Sequence, residues 1–308
     1  MSAAKVELGR YLFYDTRLSV NGKQACATCH KQEFAFTDGH PVAIGATGEK
    51  HPRGSMSLVN VAYSAPFTWG NPEMKELEKQ ALVPMFGEHP VELGLKMGDG
   101  FLARLSADPR YQELFARAYP ADSERFTLAN ITKAIACFER SIISARSHYD
   151  RYHYGGDDTA VSDSAKRGEV LFFSAPLSCF RCHGNFNFSG TGGEDSEFHN
   201  TGLYNGPATP LGISEFTHDP KDLGKFKAPT LRNIALTAPY MHDGSIATLD
   251  GVLDHYSAGG RAGKDNPLKD PLIGGFTLSD QDRKDLIEFL KALTDDAVLR
   301  DPRFSNPW

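Results

Sequence analysis

The sequence has no uninterrupted apolar run of about 18 residues, so it contains no candidate for a transmembrane helix. Its N-terminus, from Met1 to Lys5, lacks the apolar centre of a signal peptide. No block of like charges stands out, and a net charge of -6 does not indicate a nucleic-acid-binding surface. Strand-like alternation is scarce, which disfavours a fold built on sheets. The 308 residues are 40% hydrophobic, too many for disorder, and their number predicts about two domains.

Cysteine is rare as well, but four of the five cysteines fall into two copies of one short pattern. The copies are Cys26-Ala-Thr-Cys29-His30 and Cys179-Phe-Arg-Cys182-His183. This pattern is typical of c-type haem attachment, in which two thiols bind the haem vinyl groups and the adjacent His supplies an iron ligand. We therefore predict two covalently attached haems, with His30 and His183 as iron ligands.

Two other chemistries use similar cysteine pairs. A structural zinc site needs four ligands, but these pairs lie in different halves of the chain and each is followed at once by His. Thioredoxin-like chemistry requires a strand and a helix around the motif, and neither motif has that setting. The fifth cysteine, Cys137, lies among apolar residues and is interpreted as a small buried side chain. Because haem c is attached outside the cytoplasm in bacteria, we expect a mature periplasmic protein whose signal peptide has been removed.

The two haem motifs have similar local settings, which indicates an internal duplication. Each follows a short amphipathic stretch that contains a Gly, at 8–14 and at 166–173. A polar, turn-rich segment begins at Tyr154 and predicts a domain boundary. We predict an all-α fold with two cytochrome c-like haem domains and long loops, the domains covering residues 1–155 and 156–308.

Apolar spacing predicts where the main helices lie. The predicted helices are 101–118, 128–145, 245–257 and 279–293. Ser279 is the predicted N-cap of the last helix, with Asp282 three residues on. Gly- and Asp-rich segments at 184–224 and 257–276 predict long loops.

Beside the haem motifs, three further segments resemble the di-haem cytochrome c peroxidase and MauG superfamily. They are Phe36-Thr-Asp-Gly39, Ala228-Pro-Thr-Leu-Arg-Asn233 and Leu236-Thr-Ala-Pro-Tyr-Met-His-Asp-Gly244. The resemblance runs through nearly the whole chain. It implies that the first haem reacts with peroxide, that the second haem stores electrons, and that a calcium ion lies between them.

Branches of this superfamily differ in the sixth ligand of the second haem. A Met ligand favours reduced iron and electron relay, whereas the anionic oxygen of a Tyr favours high oxidation states. Tyr256 corresponds to the Tyr ligand of the MauG-like branch, with a packing role in the core as the alternative. His255 and Met241 remain alternative ligands. The loop 43–48 has no His that could block the first haem, which we expect to be open, although His51 remains a candidate.

The resemblance also implies the residues on the distal side of the first haem. The matching segments are Gln80-Ala-Leu-Val-Pro84 and Pro90-Val-Glu92-Leu-Gly94. Glu92 would move a proton between the peroxide oxygens, with Glu88 as the alternative carboxylate. Gln80 would orient the peroxide by hydrogen bonding, and Pro84 would shape the pocket and limit access.

Two further features follow from the resemblance. Trp69 resembles the tryptophan that the family places between the haems, where an oxidisable indole can pass electrons; a packing role is the alternative. The calcium ligands would be backbone oxygens of Thr237 and Pro239, with Asn60 or a water molecule completing the site.

The resemblance implies a periplasmic oxidoreductase in which hydrogen peroxide produces a bis-Fe(IV)-type state that oxidises a tryptophan of a partner protein. The segment 80–94 is most similar to the methanobactin-associated MauG-like enzymes, whose partner is a copper protein. One alternative is a di-haem cytochrome c peroxidase that takes electrons from a small cytochrome or cupredoxin, and another is a pure electron carrier. Leu177 stands where MauG often has a Trp that passes the oxidising equivalent out to the partner, so we expect this route to differ here.

Overall fold

The computed structural model describes residues 1–64, 66–190, 198–261 and 266–308. The chain divides into two compact units. Unit 1 comprises Met1–Phe67, Met74–Ile143 and Ala297–Trp308, and unit 2 comprises Thr68–Glu73 and Ser144–Asp296. These bounds differ from the predicted domains 1–155 and 156–308, because the main part of unit 2 begins at Ser144, Thr68–Glu73 belongs to unit 2, and Ala297–Trp308 packs into unit 1. Within the predicted long loops, residues 191–197 and 262–265 lie outside the described residues.

Helices form the framework of both units, and the regular strands in the described residues are two residues long. The helices of unit 1 are α1 (Ala3–Phe13), α2 (Cys26–Cys29), α3 (Leu77–Gln80), α4 (Leu82–Phe86), α5 (Phe101–Ser106), α6 (Pro109–Ala118) and α7 (Leu128–Ser141). Those of unit 2 are α8 (His148–His153), α9 (Asp163–Phe172), α10 (Ser214–Thr217), α11 (Leu249–Ser257) and α12 (Asp280–Ala292). The antiparallel strands of unit 2 are β1 (Phe198–His199) and β2 (Phe226–Lys227).

The core of unit 1 forms where α1 packs against α7. Gly9 allows the two helices to approach closely, because a methyl group at this position would overlap the carbonyl oxygen of Ala134. Leu8, Leu12 and Phe138 are fully buried at this contact. Cys137, on α7, is buried as predicted for a small apolar side chain.

The segment 297–308 completes the core of unit 1. Val298 and Phe304 are buried in the same apolar cluster as α1 and α7. The side-chain amide of Gln32 donates to the Val298 carbonyl at 2.8 Å, and the Tyr14 hydroxyl donates to the Phe304 carbonyl at 2.8 Å. The end of the chain is therefore part of the unit that contains its beginning.

Unit 2 repeats the close helix contact with different residues. Helix α9 packs against α12, and a methyl group at Gly168 would overlap the carbonyl oxygen of Asp285. The Asp285 carboxylate accepts hydrogen bonds from Arg167 and from the Ser164 hydroxyl across the same contact. A Gly-mediated crossing of two helices in each unit agrees with the predicted duplication.

Replacing Gly168 with alanine is expected to destabilise the protein by about 1–3 kcal/mol, because the added methyl group overpacks the α9–α12 contact. Gly274 supplies a matched control, since no heavy atom lies within 4 Å of a Cβ placed there. Urea unfolding followed by circular dichroism would compare Gly168→Ala with Gly274→Ala. Equal stability of the two variants would contradict the close contact.

Candidate active site

The first haem motif forms the short helix α2, followed directly by its histidine. The backbone N–H of His30 donates to the Cys26 carbonyl at 3.0 Å, so the histidine continues directly from the last turn of the helix. The His30 Nδ1–H donates to the Phe36 carbonyl at 2.9 Å. Because a carbonyl oxygen can only accept, the proton is assigned to Nδ1, and Nε2 keeps the lone pair that binds iron. Burial lowers the pKa of His30 and keeps the ring neutral.

The second haem motif repeats this arrangement. Residues Cys179–Arg181 form a 3-10 turn, and the His183 N–H donates to the Cys179 carbonyl at 3.0 Å. The His183 Nδ1–H donates to the Phe188 carbonyl at 2.8 Å. Burial lowers the pKa of His183 to about 4, so this ring is neutral as well. Each histidine is thus oriented by a backbone carbonyl, as metal-binding histidines commonly are.

A cavity in unit 2 contains the second haem motif. The cavity has a volume of about 200 Å³ for the centres of water-sized molecules, and it is partly open to solvent. Its lining includes both cysteines and the histidine of the motif, together with Tyr256 and Met241. Most of the remaining wall is apolar, including Phe172, Leu177, Leu231, Ile234, Leu249 and Leu290. Two thiols, one imidazole and an apolar wall fit a covalently attached haem.

Of the three candidate sixth ligands, two line this cavity. Tyr256 lies near both cysteines of the second motif; burial raises the pKa of its phenol, and the two thiols add to this rise. Met241 lines the cavity as well. The His255 Nε2–H instead donates to the Thr201 carbonyl at 2.9 Å, which engages one ring nitrogen of this residue elsewhere.

Glu92 lies close to the first haem motif. Burial raises the pKa of the Cys26 and Cys29 thiols, and the nearby carboxylate of Glu92 adds to that effect. Burial also raises the pKa of Glu92 itself. The Leu93 N–H donates to the Pro84 carbonyl at 2.8 Å, so the two predicted distal segments lie side by side. A carboxyl group in this position can exchange protons with a small molecule bound beside the motif.

Glu88 and Gln80, the two other polar candidates for the distal side of the first haem, have different surroundings. Glu88 is exposed to solvent, so the structure distinguishes it from the partly buried Glu92. Gln80 is the last residue of α3 and is half-buried.

His51, expected only as a blocking candidate, lies next to Glu92. The segment 43–53 folds back on itself, and the His51 N–H donates to the Ala43 carbonyl at 2.8 Å. His51 Nδ1 lies 3.1 Å from the Arg53 backbone nitrogen, whose N–H donates to it in one tautomer, and 3.2 Å from the Arg53 carbonyl, to which it donates in the other. His51 Nε2 lies 3.8 Å from Glu92 Oε1. The structure therefore places a histidine beside the predicted acid–base group.

Residues 3–159 match the family model described as di-haem cytochrome c peroxidase, and residues 165–294 match cytochrome c. The chain belongs to the di-haem cytochrome c peroxidase family. The methylamine utilization protein MauG of Methylorubrum extorquens is 35% identical over 95% of this chain and 79% of its own length. The cytochrome-c peroxidase IdrP1 of Denitromonas iodatirespirans is 36% identical over 100% of this chain and 86% of its own length.

A solved structure supports the same family assignment. The crystal structure of a MauG-like protein associated with microbial copper homeostasis matches with a TM-score of 0.95 and 44% identity, covering 100% of this chain and 94% of that chain. The predicted all-α fold with cytochrome c-like domains is confirmed. The predicted resemblance to MauG-like proteins of the di-haem peroxidase family is confirmed too.

As a member of this family, the protein is an oxidoreductase with two c-type haems. Family membership also confirms hydrogen peroxide and a protein partner as the general reactants. In the part of the chain that the structure describes, none of the helices combines the length and the apolar character needed to cross a membrane.

Trp69, which the resemblance to the family places between the haems, belongs to unit 2 and lines its cavity. Its carbonyl accepts a hydrogen bond from the Lys227 N–H at 2.9 Å. Its ring meets the ring of His242 edge to face, with the centroids 6.4 Å apart. Trp69 is therefore a neighbour of the second haem motif, and its role in passing electrons between the haems stays a prediction.

The residues predicted to bind calcium are distributed over both units. Asn60 is fully buried in unit 1 with a left-handed backbone conformation, and its N–H donates to the Ile142 carbonyl. Asn233 of unit 2 has the same conformation, and its N–H donates to the Leu293 carbonyl, so the same feature occurs in unit 2. Thr237 and Pro239 follow Asn233 in the sequence of unit 2. Calcium binding by these residues stays a prediction.

Proposed function

We propose that the protein is a periplasmic MauG-like enzyme that uses hydrogen peroxide to oxidise a tryptophan of a partner protein. The observation that carries the proposal is that Tyr256 lines the same cavity as Cys179, Cys182 and His183. A Tyr ligand stabilises oxidised iron. An enzyme that oxidises a protein needs this property, because it must hold its oxidising equivalents until the partner is bound.

The haems would supply the irons that bind peroxide and exchange electrons. Hydrogen peroxide takes up two electrons and two protons and yields two molecules of water. Glu92 would accept a proton from one peroxide oxygen and deliver it to the other, which leaves as water. His51, whose Nε2 lies 3.8 Å from Glu92 Oε1, would be the neighbour of this carboxylate. Gln80 would orient the peroxide, and Pro84 would restrict access to the site.

The partner that we propose is a copper-binding protein. The support is the 44% identity to the MauG-like protein associated with microbial copper homeostasis, which extends over the whole of this chain. We also propose one calcium ion, bound by the backbone oxygens of Thr237 and Pro239 with Asn60 or water completing the site. Elemental analysis of the purified protein, before and after chelation, would test the calcium proposal.

A second candidate function is supported by Met241. Met241 also lines the haem cavity, and a Met ligand would favour reduced iron and electron relay. The relative IdrP1, which is named a cytochrome-c peroxidase, is 36% identical to this chain. In this alternative, the protein would reduce hydrogen peroxide with electrons from a small cytochrome or cupredoxin.

Peroxide treatment is expected to leave an oxidised tryptophan in a protein that co-purifies with the enzyme. The experiment isolates the enzyme with its partner and compares the partner by mass spectrometry with and without peroxide. An intact mass that exceeds the polypeptide by two haem groups is the control for a fully loaded enzyme. Steady consumption of peroxide with reduced cytochrome c, together with an unmodified partner, would support the second candidate instead.

A further inference from the structure

A series of ring contacts leads away from the haem cavity of unit 2. Trp69 and His242 line the cavity, and the buried His242 stacks on Phe226 with the ring centroids 3.7 Å apart. The ring of Tyr204 lies 5.6 Å from that of His242, between centroids. Tyr204 is half-buried, so part of this residue is accessible from the surface. The contacts thus connect the cavity wall with a partly exposed phenol.

The hydroxyl of Tyr204 has a carboxylate as its hydrogen-bond acceptor. It donates to Asp243 Oδ2, and the other carboxylate oxygen accepts from the Ser245 N–H at 3.0 Å. A phenol that loses an electron must also lose its proton, and this carboxylate is placed to accept it.

We propose that Tyr204, with Asp243 as its proton acceptor, is the residue through which unit 2 takes electrons from the partner protein. This inference rests on the proposed function. Tyr204 gives one electron to the peroxide-oxidised haem centre by way of the contacts with His242 and Trp69, and its proton passes to Asp243. The result is a neutral tyrosyl radical beside a protonated carboxyl group.

The cycle closes when an aromatic residue of the partner gives one electron to the radical and the proton returns from Asp243 to the phenol. Two such cycles supply the two electrons that one molecule of hydrogen peroxide consumes. Leu177, at the rim of the same cavity, is apolar and cannot be oxidised in this way.

Tyr149 provides a matched comparison within the same unit. Burial raises the pKa of its phenol and the nearby carboxylate of Glu169 adds to this rise, but Tyr149 is only 4% exposed and packs among phenylalanine rings such as Phe188 and Phe289. A buried tyrosine cannot be reached by a partner protein. Tyr149→Phe therefore removes a buried phenol that lies near a carboxylate, without touching the proposed route.

The test treats the two-haem enzyme with hydrogen peroxide in the absence of partner and records EPR spectra of rapidly frozen samples. The wild type is expected to give a tyrosyl radical, identified by the narrower signal of protein made with ring-deuterated tyrosine. Tyr204→Phe should lose this signal, and Tyr149→Phe should keep it. Asp243→Asn should slow its formation by about 10²-fold, since it removes the proton acceptor. A signal that persists in Tyr204→Phe, or no tyrosyl signal in the wild type, would overturn the inference.

A second measurement separates this inference from the proposed function. The partner is added to the same variants, and its oxidation is followed by mass spectrometry. Partner oxidation at the wild-type rate in Tyr204→Phe overturns the inference and leaves the proposed function standing. A Tyr204 radical in an enzyme that leaves the partner's tryptophan unmodified supports the inference and contradicts the proposed function, with a cytochrome or cupredoxin then acting as the electron donor.

Discussion

Tyr256→Met is expected to abolish oxidation of the partner protein while both haems remain attached through their cysteines. A phenolate donates strongly to oxidised iron and lowers the potential of the haem that it binds, whereas a thioether favours reduced iron. The substitution should therefore raise the potential of the second haem and shorten the lifetime of the oxidised enzyme that peroxide produces. Redox titration and Mössbauer or EPR spectroscopy of the wild type and the variant would measure both effects.

Met241→Leu is the matched control, because Met241 lines the same cavity and is the other candidate ligand. If Tyr256 is the ligand, Met241→Leu should leave the ferric spectrum and the potential of the second haem unchanged. If Tyr256→Met instead leaves them unchanged and Met241→Leu alters them, Tyr256 is a packing residue. The peroxidase would then be the better description of the protein.

Glu92→Gln is expected to slow the reaction with peroxide by ~10² to 10⁴-fold, the usual contribution of a positioned acid–base group. Glutamine preserves the size and hydrogen bonding of the side chain but cannot shuttle a proton, so both haems should remain bound. Stopped-flow mixing with peroxide measures the rate. Glu88→Gln, which changes an exposed carboxylate in the same segment, should react like the wild type.

The rate of the reaction with peroxide is also expected to depend on pH, and the same two variants test this. Glu92 must be deprotonated to accept a proton from peroxide, and burial raises its pKa. The wild-type rate should therefore fall as the pH drops through the pKa of Glu92, which lies above the ordinary value for a glutamate. This fall in rate should be absent in Glu92→Gln. If the rate still falls with pH in Glu92→Gln but no longer does so in Glu88→Gln, the proton transfer belongs to Glu88.

Features that depend on nearby residues in the chain were predictable from the sequence. Ser279 caps α12 through a mutual hydrogen-bonding pattern with Asp282, as the local spacing predicts. The predicted helix 101–118 is interrupted instead, because Asp108 caps a new helix that starts at Pro109. Apolar periodicity continues across this break and therefore does not reveal it.

Features that depend on residues far apart in the sequence were harder to predict from the sequence. The approach of His51 to Glu92 requires the fold of the loop 43–53, and a methyl group at Gly45 would overlap the carbonyl oxygen of Val91. No local pattern connects residues so far apart in the chain. The family motifs identified Glu92 as a candidate, but its histidine neighbour emerged only from the three-dimensional arrangement.

The return of the segment 297–308 to unit 1 has a consequence for the order of folding. If the chain is exported to the periplasm, as proposed, it emerges there from its N-terminus, and domains generally fold as units. Unit 2 has all its residues once Asp296 has emerged, but the core of unit 1 still lacks Val298 and Phe304 at that moment. Unit 1 is therefore completed after unit 2, and its haem motif lies in an incomplete core until Val298 and Phe304 are present.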